Sequence, residues 1–179
     1  MTDGRIGGPE TTEWARPVGF ARSVITFWAL LGGFILVALI LLTAVSAVSR
    51  IFSGRSIPGD YDLARHGVAI AIFSFLPYAQ LTFANVTVDV FTERASGRAK
   101  AAMALLASLL AAALAVLLAW RMWYGMWDSI AFREAMISIR LPVWTAYPPA
   151  LVSLALLFVA SLITAWQGVV GVRTGSWTN

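Results

Sequence analysis

Charged side chains are absent from four long stretches of this chain, residues 24–49, 67–88, 101–120 and 141–172, which together fill most of its 179 residues. About 20 apolar residues carry an α-helix across the hydrocarbon core of a bilayer. In lipid every backbone N–H and C=O must be satisfied within the protein, so such a stretch is either helix or closed barrel. Barrel strands alternate apolar and polar positions, and these stretches do not. The pattern predicts an all-α polytopic membrane protein with four transmembrane helices. Its expected organisation is a tail at 1–23, helices at 24–49, 63–88, 99–127 and 141–169, connections at 50–62, 89–98 and 128–140, and a tail at 170–179.

Local signals refine these elements. Gly4, Gly7, Gly8, Pro9 and Pro17 mark the first tail as irregular, with Trp14, Pro17 and Phe20 suited to the interface. A cleaved leader is a poor reading of the first span, because residues 24–42 already exceed the usual length of a leader's apolar region. Gly32-Gly33 inside it reads as a packing contact. Ile57-Pro58-Gly59 reads as a turn, Asp60 as the N-cap of the second helix, and Asp62 as a first-turn carboxylate with Arg65 and His66 on its face. Pro77 should kink the second helix or end its first half. Gln80, Thr82, Asn85 and Thr87 make its second half polar, a face that calls for protein rather than lipid. Ala104, Ser108, Ala111 and Ala115 form a small-residue stripe on the third span, where another helix can approach closely. Trp120, Trp123 and Trp127 recur along its second half, and Trp144 and Tyr147 open the next span; both sets lie towards one side of the bilayer as an interfacial aromatic belt. The connection at 128–140 either extends the third helix out of the membrane or lies along its surface.

Composition narrows the chemistry. Hydrophobic residues make up 59% and charged residues 12%, about half the charged share of a soluble domain, so no soluble enzyme domain is expected. There is no Cys and a single His, His66, which removes thiolate metal sites and a haem held between two His. No nucleophile–base pattern, Gly-rich phosphate loop or metal spacing is present, so neither an enzyme nor a cofactor is expected. The net charge of +4 suits loops facing anionic lipid, not nucleic acid. Orientation is nearly balanced. Arg5, Arg16, Arg22, Arg94, Arg98, Lys100 and Arg173 lie on the side of both termini, and Arg50, Arg55, Arg65, Arg121, Arg133 and Arg140 on the other. The crowding of Arg94, Arg98 and Lys100 favours cytoplasmic termini.

The order of landmarks resembles the small integral membrane subunit, the DctQ-type small permease, of tripartite ATP-independent periplasmic (TRAP) transporters. Ser49-Arg50 closes the first span, Ile57-Pro58-Gly59 forms the turn and Asp62-Leu63-Ala64 opens the second span. Pro77-Tyr78-Ala79-Gln80 lies inside it and Val88-Asp89 at its end, and Leu141-Pro142-Val143-Trp144 opens the fourth. The family usually has Glu in place of Asp62 and often His in place of Asn85, so a protonation role for that His does not carry over. The resemblance implies a scaffold in the bacterial inner membrane beside a large membrane subunit. That subunit moves a solute, often an organic acid, delivered by a periplasmic solute-binding protein and driven by an ion gradient. Arg50, Asp62, Arg65, Asn85 and Asp89 are then either partner contacts or plain helix-end charges. The absence of an ionisable residue in the middle of any span fits an accessory subunit. The competing reading is a stand-alone four-helix channel or exporter working as a homo-oligomer.

Overall fold

The computed structural model describes residues 15–91, 97–136 and 138–174, and within them leaves aside the side chains at 15–17, 83–91, 97–99, 171 and 174. Four helices account for nearly all of it: α1 (Ala15–Ser53), α2 (Asp60–Phe91), α3 (Gly97–Ala131) and α4 (Tyr147–Thr174), with one 3₁₀ turn (Val143–Ala146) leading into α4. Among the described residues there is no strand, only an isolated antiparallel bridge between Ala135 and Pro142.

Each helix runs past its apolar stretch. α1 is already helical at Ala15, well ahead of Val24, where its uncharged stretch starts. At 39 residues α1 is about 58 Å long, far more than a hydrocarbon core of about 30 Å requires. α2 is continuous through Pro77, so the proline does not end the helix. Pro148 and Pro149 sit in the first turn of α4, behind a 3₁₀ turn whose preceding residue, Pro142, is extended.

Four spans are expected, but among the described residues three helical segments are long and apolar enough to cross a membrane: Val18–Ser53, Lys100–Ala131 and Val143–Val170. Only residues 60–82 of α2 enter that comparison. Asp60, Asp62, Arg65 and His66 occupy its first turns, and Pro77, Tyr78, Gln80 and Thr82 dilute the apolar run that follows.

The helices pack in the order α1, α2, α4, α3. α1 lies mainly on α2, α2 also on α4, and α4 on α3, while α1 and α3 do not touch among the described residues. The buried interior is made of small and hydroxyl side chains. Ala71, Ala101, Ala104, Ala115, Ala150 and Ala160 line it with Ser46, Ser74, Ser108, Ser153, Ser161 and Thr164, and Ile25 and Leu154 are rare large members. Large apolar side chains such as Phe27, Phe34, Ile40, Leu106, Leu110 and Leu117 point outward. A water-soluble bundle would be the reverse; in lipid, helices associate through close backbone approach, not by hiding leucines. A Cβ on Gly32 would lie 2.7 Å from that of Ser74, and one on Gly168 would lie 3.1 Å from the backbone nitrogen of Leu105.

Most buried hydroxyls among the described residues bond within their own helices, whereas Ser46 of α1 donates to Asp60 of α2 and Ser129 Oγ has no partner. Ser74 donates to Ile70 O at 2.9 Å, Ser108 to Ala104 O at 2.7 Å, and Ser161 to Leu157 O at 2.8 Å. Among the described residues two polar bonds join helices in the bundle interior: Trp28 Nε1 to Ser153 Oγ at 2.8 Å, and Gln80 Nε2 to Thr164 Oγ1 at 3.3 Å. Trp28→Phe keeps the ring and deletes the donor. Interhelical bonds of this kind contribute on average about 0.6 kcal/mol, so we expect a fall of that order in a detergent unfolding assay.

Candidate functional site

The polar chemistry of the molecule gathers at one end, where the first and third connections meet. α1 closes with Gly54 in the left-handed region at φ 69°, its N–H bonded to Arg50 O at 3.1 Å. The chain then makes a type II turn. Pro58 takes the second position, Gly59 the third at φ 82°, and Asp60 N–H closes on Ile57 O at 3.2 Å. Gly59 O accepts from Leu63 N–H at 2.9 Å, so Gly59 caps α2 and Asp60 is its first helical residue, not its N-cap.

Freed from that role, the Asp60 carboxylate joins α1 to α2. Oδ2 accepts from Ser46 Oγ, and Oδ1 accepts from Tyr61 N–H at 2.7 Å. Ser46 Oγ in turn accepts from Ile57 N–H at 3.2 Å. The hydrogen bond from Ser46 holds the Asp60 pKa below its ordinary value, helped by Tyr61 N–H and the positive charge of Arg50. A depressed carboxylate pKa contributes stability above the unfolded pKa, and that contribution is lost as pH falls through the folded one. Ser46→Ala should therefore raise the Asp60 pKa and flatten the acid side of the thermal-stability profile, read by melting in detergent from neutral to acid pH.

The third connection is equally well specified. α3 ends in a Schellman arrangement with Arg133 left-handed at φ 50°: Arg133 N–H bonds Ile130 O at 3.2 Å and Glu134 N–H bonds Ser129 O at 3.1 Å. Beyond it, Met136 N–H to Leu141 O at 2.8 Å and Val143 N–H to Glu134 O at 3.0 Å fold residues 134–143 back on themselves. Arg140, at φ 53°, makes the reversal. The connection thus prolongs α3 as far as Ala131 and then closes as a hairpin turn.

Three contacts lock this turn to the start of α2. Ile139 sits over Gly59, where a Cβ would come within 2.1 Å of Ile139 Cγ2. Asp62 Oδ2 accepts from Ser138 N–H at 3.0 Å. His66 Nε2 lies 3.0 Å from Thr145 Oγ1, whose own hydroxyl donates to Pro142 O at 2.8 Å. Asp62 and His66 therefore look across to the third connection instead of pairing along their own helix. Arg50, Arg55, Arg65, Arg133 and Arg140 are all exposed around this interlocked cap, beside Asp128 and Glu134. Among the described residues no three His, Asp or Glu side chains converge as a metal site requires.

Across residues 39–171, from the middle of α1 to the last turns of α4, the chain matches the family model described as tripartite ATP-independent periplasmic transporters, DctQ component. The chain belongs to the DctQ family. The match takes in both connections of the cap, the end of α1, the whole of α2 and α3, and nearly all of α4. No curated protein and no solved structure matches the chain.

Within this DctQ chain the remaining sequence-predicted positions fall in three places. Ala104, Ser108 and Ala115 are buried and Ala111 is half-buried on α3, whose main packing partner is α4. Trp120, Trp123, Trp127 and Trp144 are exposed, and Tyr147 is half-buried with its ring against Gly125. Trp123 and Trp127 meet edge to face with centroids 6.2 Å apart, and Trp120 and Tyr124 lie 6.0 Å apart. The side chains of Asn85 and Asp89 lie outside the described residues.

Some residues that matter here escape sequence reasoning. The partnership of Ser46 with Asp60 and that of Trp28 with Ser153 have no local signature. The buried stripe of Ala150, Ser153, Leu157, Ser161, Thr164 and Gly168 on α4 does have one, the same spacing of three and four that marks α3.

Proposed function

We propose that this chain is the small scaffold subunit of a TRAP-type secondary transporter in a bacterial inner membrane. All four helices cross the bilayer, both termini are cytoplasmic, and the interlocked cap faces the periplasm. A large membrane subunit moves the solute, an organic acid, delivered by a periplasmic binding protein and driven by an ion gradient. This chain braces that machine and contributes neither a translocation path nor a reaction. The observation that carries the reading is the family match, because it runs from the second half of α1 to the last turns of α4 and is not one motif.

Several features support it. α2 lies between α1 and α4, where Gln80 has Thr164 as a partner. Its passage through the membrane is thus supported by its neighbours. The described spans hold no ionisable residue at mid-depth on which an ion could be coupled. Arg50, Asp62 and Arg65, with Asn85 and Asp89 further along α2, remain our candidates for partner contact; the first three stand at the cap, where a soluble partner would arrive.

Reconstitution tests the assignment. Proteoliposomes with this chain alone should show no organic-acid uptake under a sodium or proton gradient, and uptake should appear when the large subunit and the binding protein are added. Gradient-driven flux through this chain by itself would overturn it. A reporter fused after Asn179 should behave as cytoplasmic.

A further inference from the structure

The middle of α2 carries two hydroxyls that the bundle leaves without a partner. Tyr78 is 43% exposed, and Thr82, one turn further on the same side of the helix, is exposed as well. Neither side chain has a hydrogen-bond partner among the described residues. The register of α2 continues that side at positions 85 and 89, which are Asn85 and Asp89. We infer that this polar stripe seats a transmembrane helix of the large membrane subunit, which gives Tyr78 and Thr82 the hydrogen-bonding groups they lack. The inference rests on the transporter assignment and on the passage of α2 through the membrane.

Depth decides what can cover the stripe. Residues 67–88 carry no charge, and Tyr78 stands near their midpoint, about 15 Å from either end at 1.5 Å per residue. A hydrocarbon core is about 30 Å thick, so this tyrosine lies at its centre. Its side chain is too short to bring the hydroxyl to the headgroups. Acyl chains offer neither donor nor acceptor, and bulk lipid would leave the hydroxyl bare. Within the bundle the fold meets the same demand with partners: Trp28 has Ser153, and Gln80, two residues from Tyr78, has Thr164. Exposed rings with polar atoms otherwise gather towards the cap, as Trp123, Tyr124 and Trp127 do, where headgroups and water are in reach.

The same depth selects among the components of a tripartite transporter. A soluble binding protein cannot reach the centre of the bilayer. The remaining component is a membrane protein, and its helices are the neighbours that can present a polar side chain or an unwound backbone carbonyl there. Pro77 is buried and Tyr78 beside it is not, so the helix turns the proline inward and the hydroxyl outward.

The test uses the assembled transporter. A photoreactive benzoylphenylalanine in place of Tyr78, irradiated in membranes, should cross-link this chain to the large subunit. Tyr78→Phe keeps the ring and deletes only the hydroxyl. With no partner lost inside the chain, the isolated subunit should melt as the wild type does, while the complex should dissociate about threefold more readily, as expected for one interhelical hydrogen bond. A cross-link to a second copy of this chain, no cross-link to protein, or dissociation unchanged in Tyr78→Phe would each overturn the seat. A tagged chain that still brings down the large subunit in those cases leaves the transporter assignment standing, and one that brings down no large subunit removes both.

Discussion

Replacing Gly59 by alanine should loosen the cap more than any other single change in it. Two independent penalties coincide at this residue. Its φ of 82° is a left-handed conformation that alanine adopts at a penalty of about 1 kcal/mol. The added Cβ would also fall within 2.1 Å of Ile139 Cγ2, so Ile139 and the turn that carries it must shift. Overpacking of this kind is worth about 1–3 kcal/mol. Because Asp62 holds Ser138 N–H next to Ile139, displacement of the side chain should break that bond as well. We expect a total loss of about 2–4 kcal/mol, read as a lower midpoint in detergent unfolding, with faster hydrogen exchange at the Ser138 amide. Gly54→Ala separates the two penalties, since Gly54 is also left-handed at φ 69° but has open space where its Cβ would go. It should show the conformational part alone. An equal effect at both positions would mean that Ile139 does not press on Gly59.

The second large effect is expected at Gly32, in the α1–α2 interface. A Cβ there would lie 2.7 Å from Ser74 Cβ and 3.4 Å from Ala71 O. Ser74 is buried and its Oγ is bonded to Ile70 O, so it cannot swing aside freely. Gly32→Leu should therefore wedge the two helices apart and cost more than about 3 kcal/mol. Gly33 is the internal control, because its Cβ would meet only Phe75 Cζ at 3.9 Å. Gly33→Ala should be close to neutral, and the pair can be compared by cysteine cross-linking between α1 and α2. Interfaces in lipid depend on such approach, since the surrounding acyl chains are as apolar as leucine.

The helices themselves were legible because charge is so dear inside a bilayer that its absence over 20 residues has one main explanation. The turn at 57–59 was legible because proline and glycine there each have a conformational reason. α2 is less legible at its start. Asp60 has the identity of an N-cap, but Gly59 takes the cap and Ser46, fourteen residues away, takes the carboxylate. The closure of the cap through Asp62 with Ser138 and His66 with Thr145 joins residues 76 and 79 positions apart, and nothing local in the chain announces such pairs. The helices also run past the apolar stretches, because polar residues that stop an apolar count do not stop a helix.

The account's central claim, that this chain braces a larger transporter and carries no transport path of its own, is tested most directly by the mass of the particle it forms. An affinity tag on this chain, purified from membranes that also make the DctQ family's partner subunits, should bring down a complex containing a much larger polytopic protein in fixed ratio. The opposite result would be a homo-oligomer of this chain alone that conducts ions or solute in a planar bilayer.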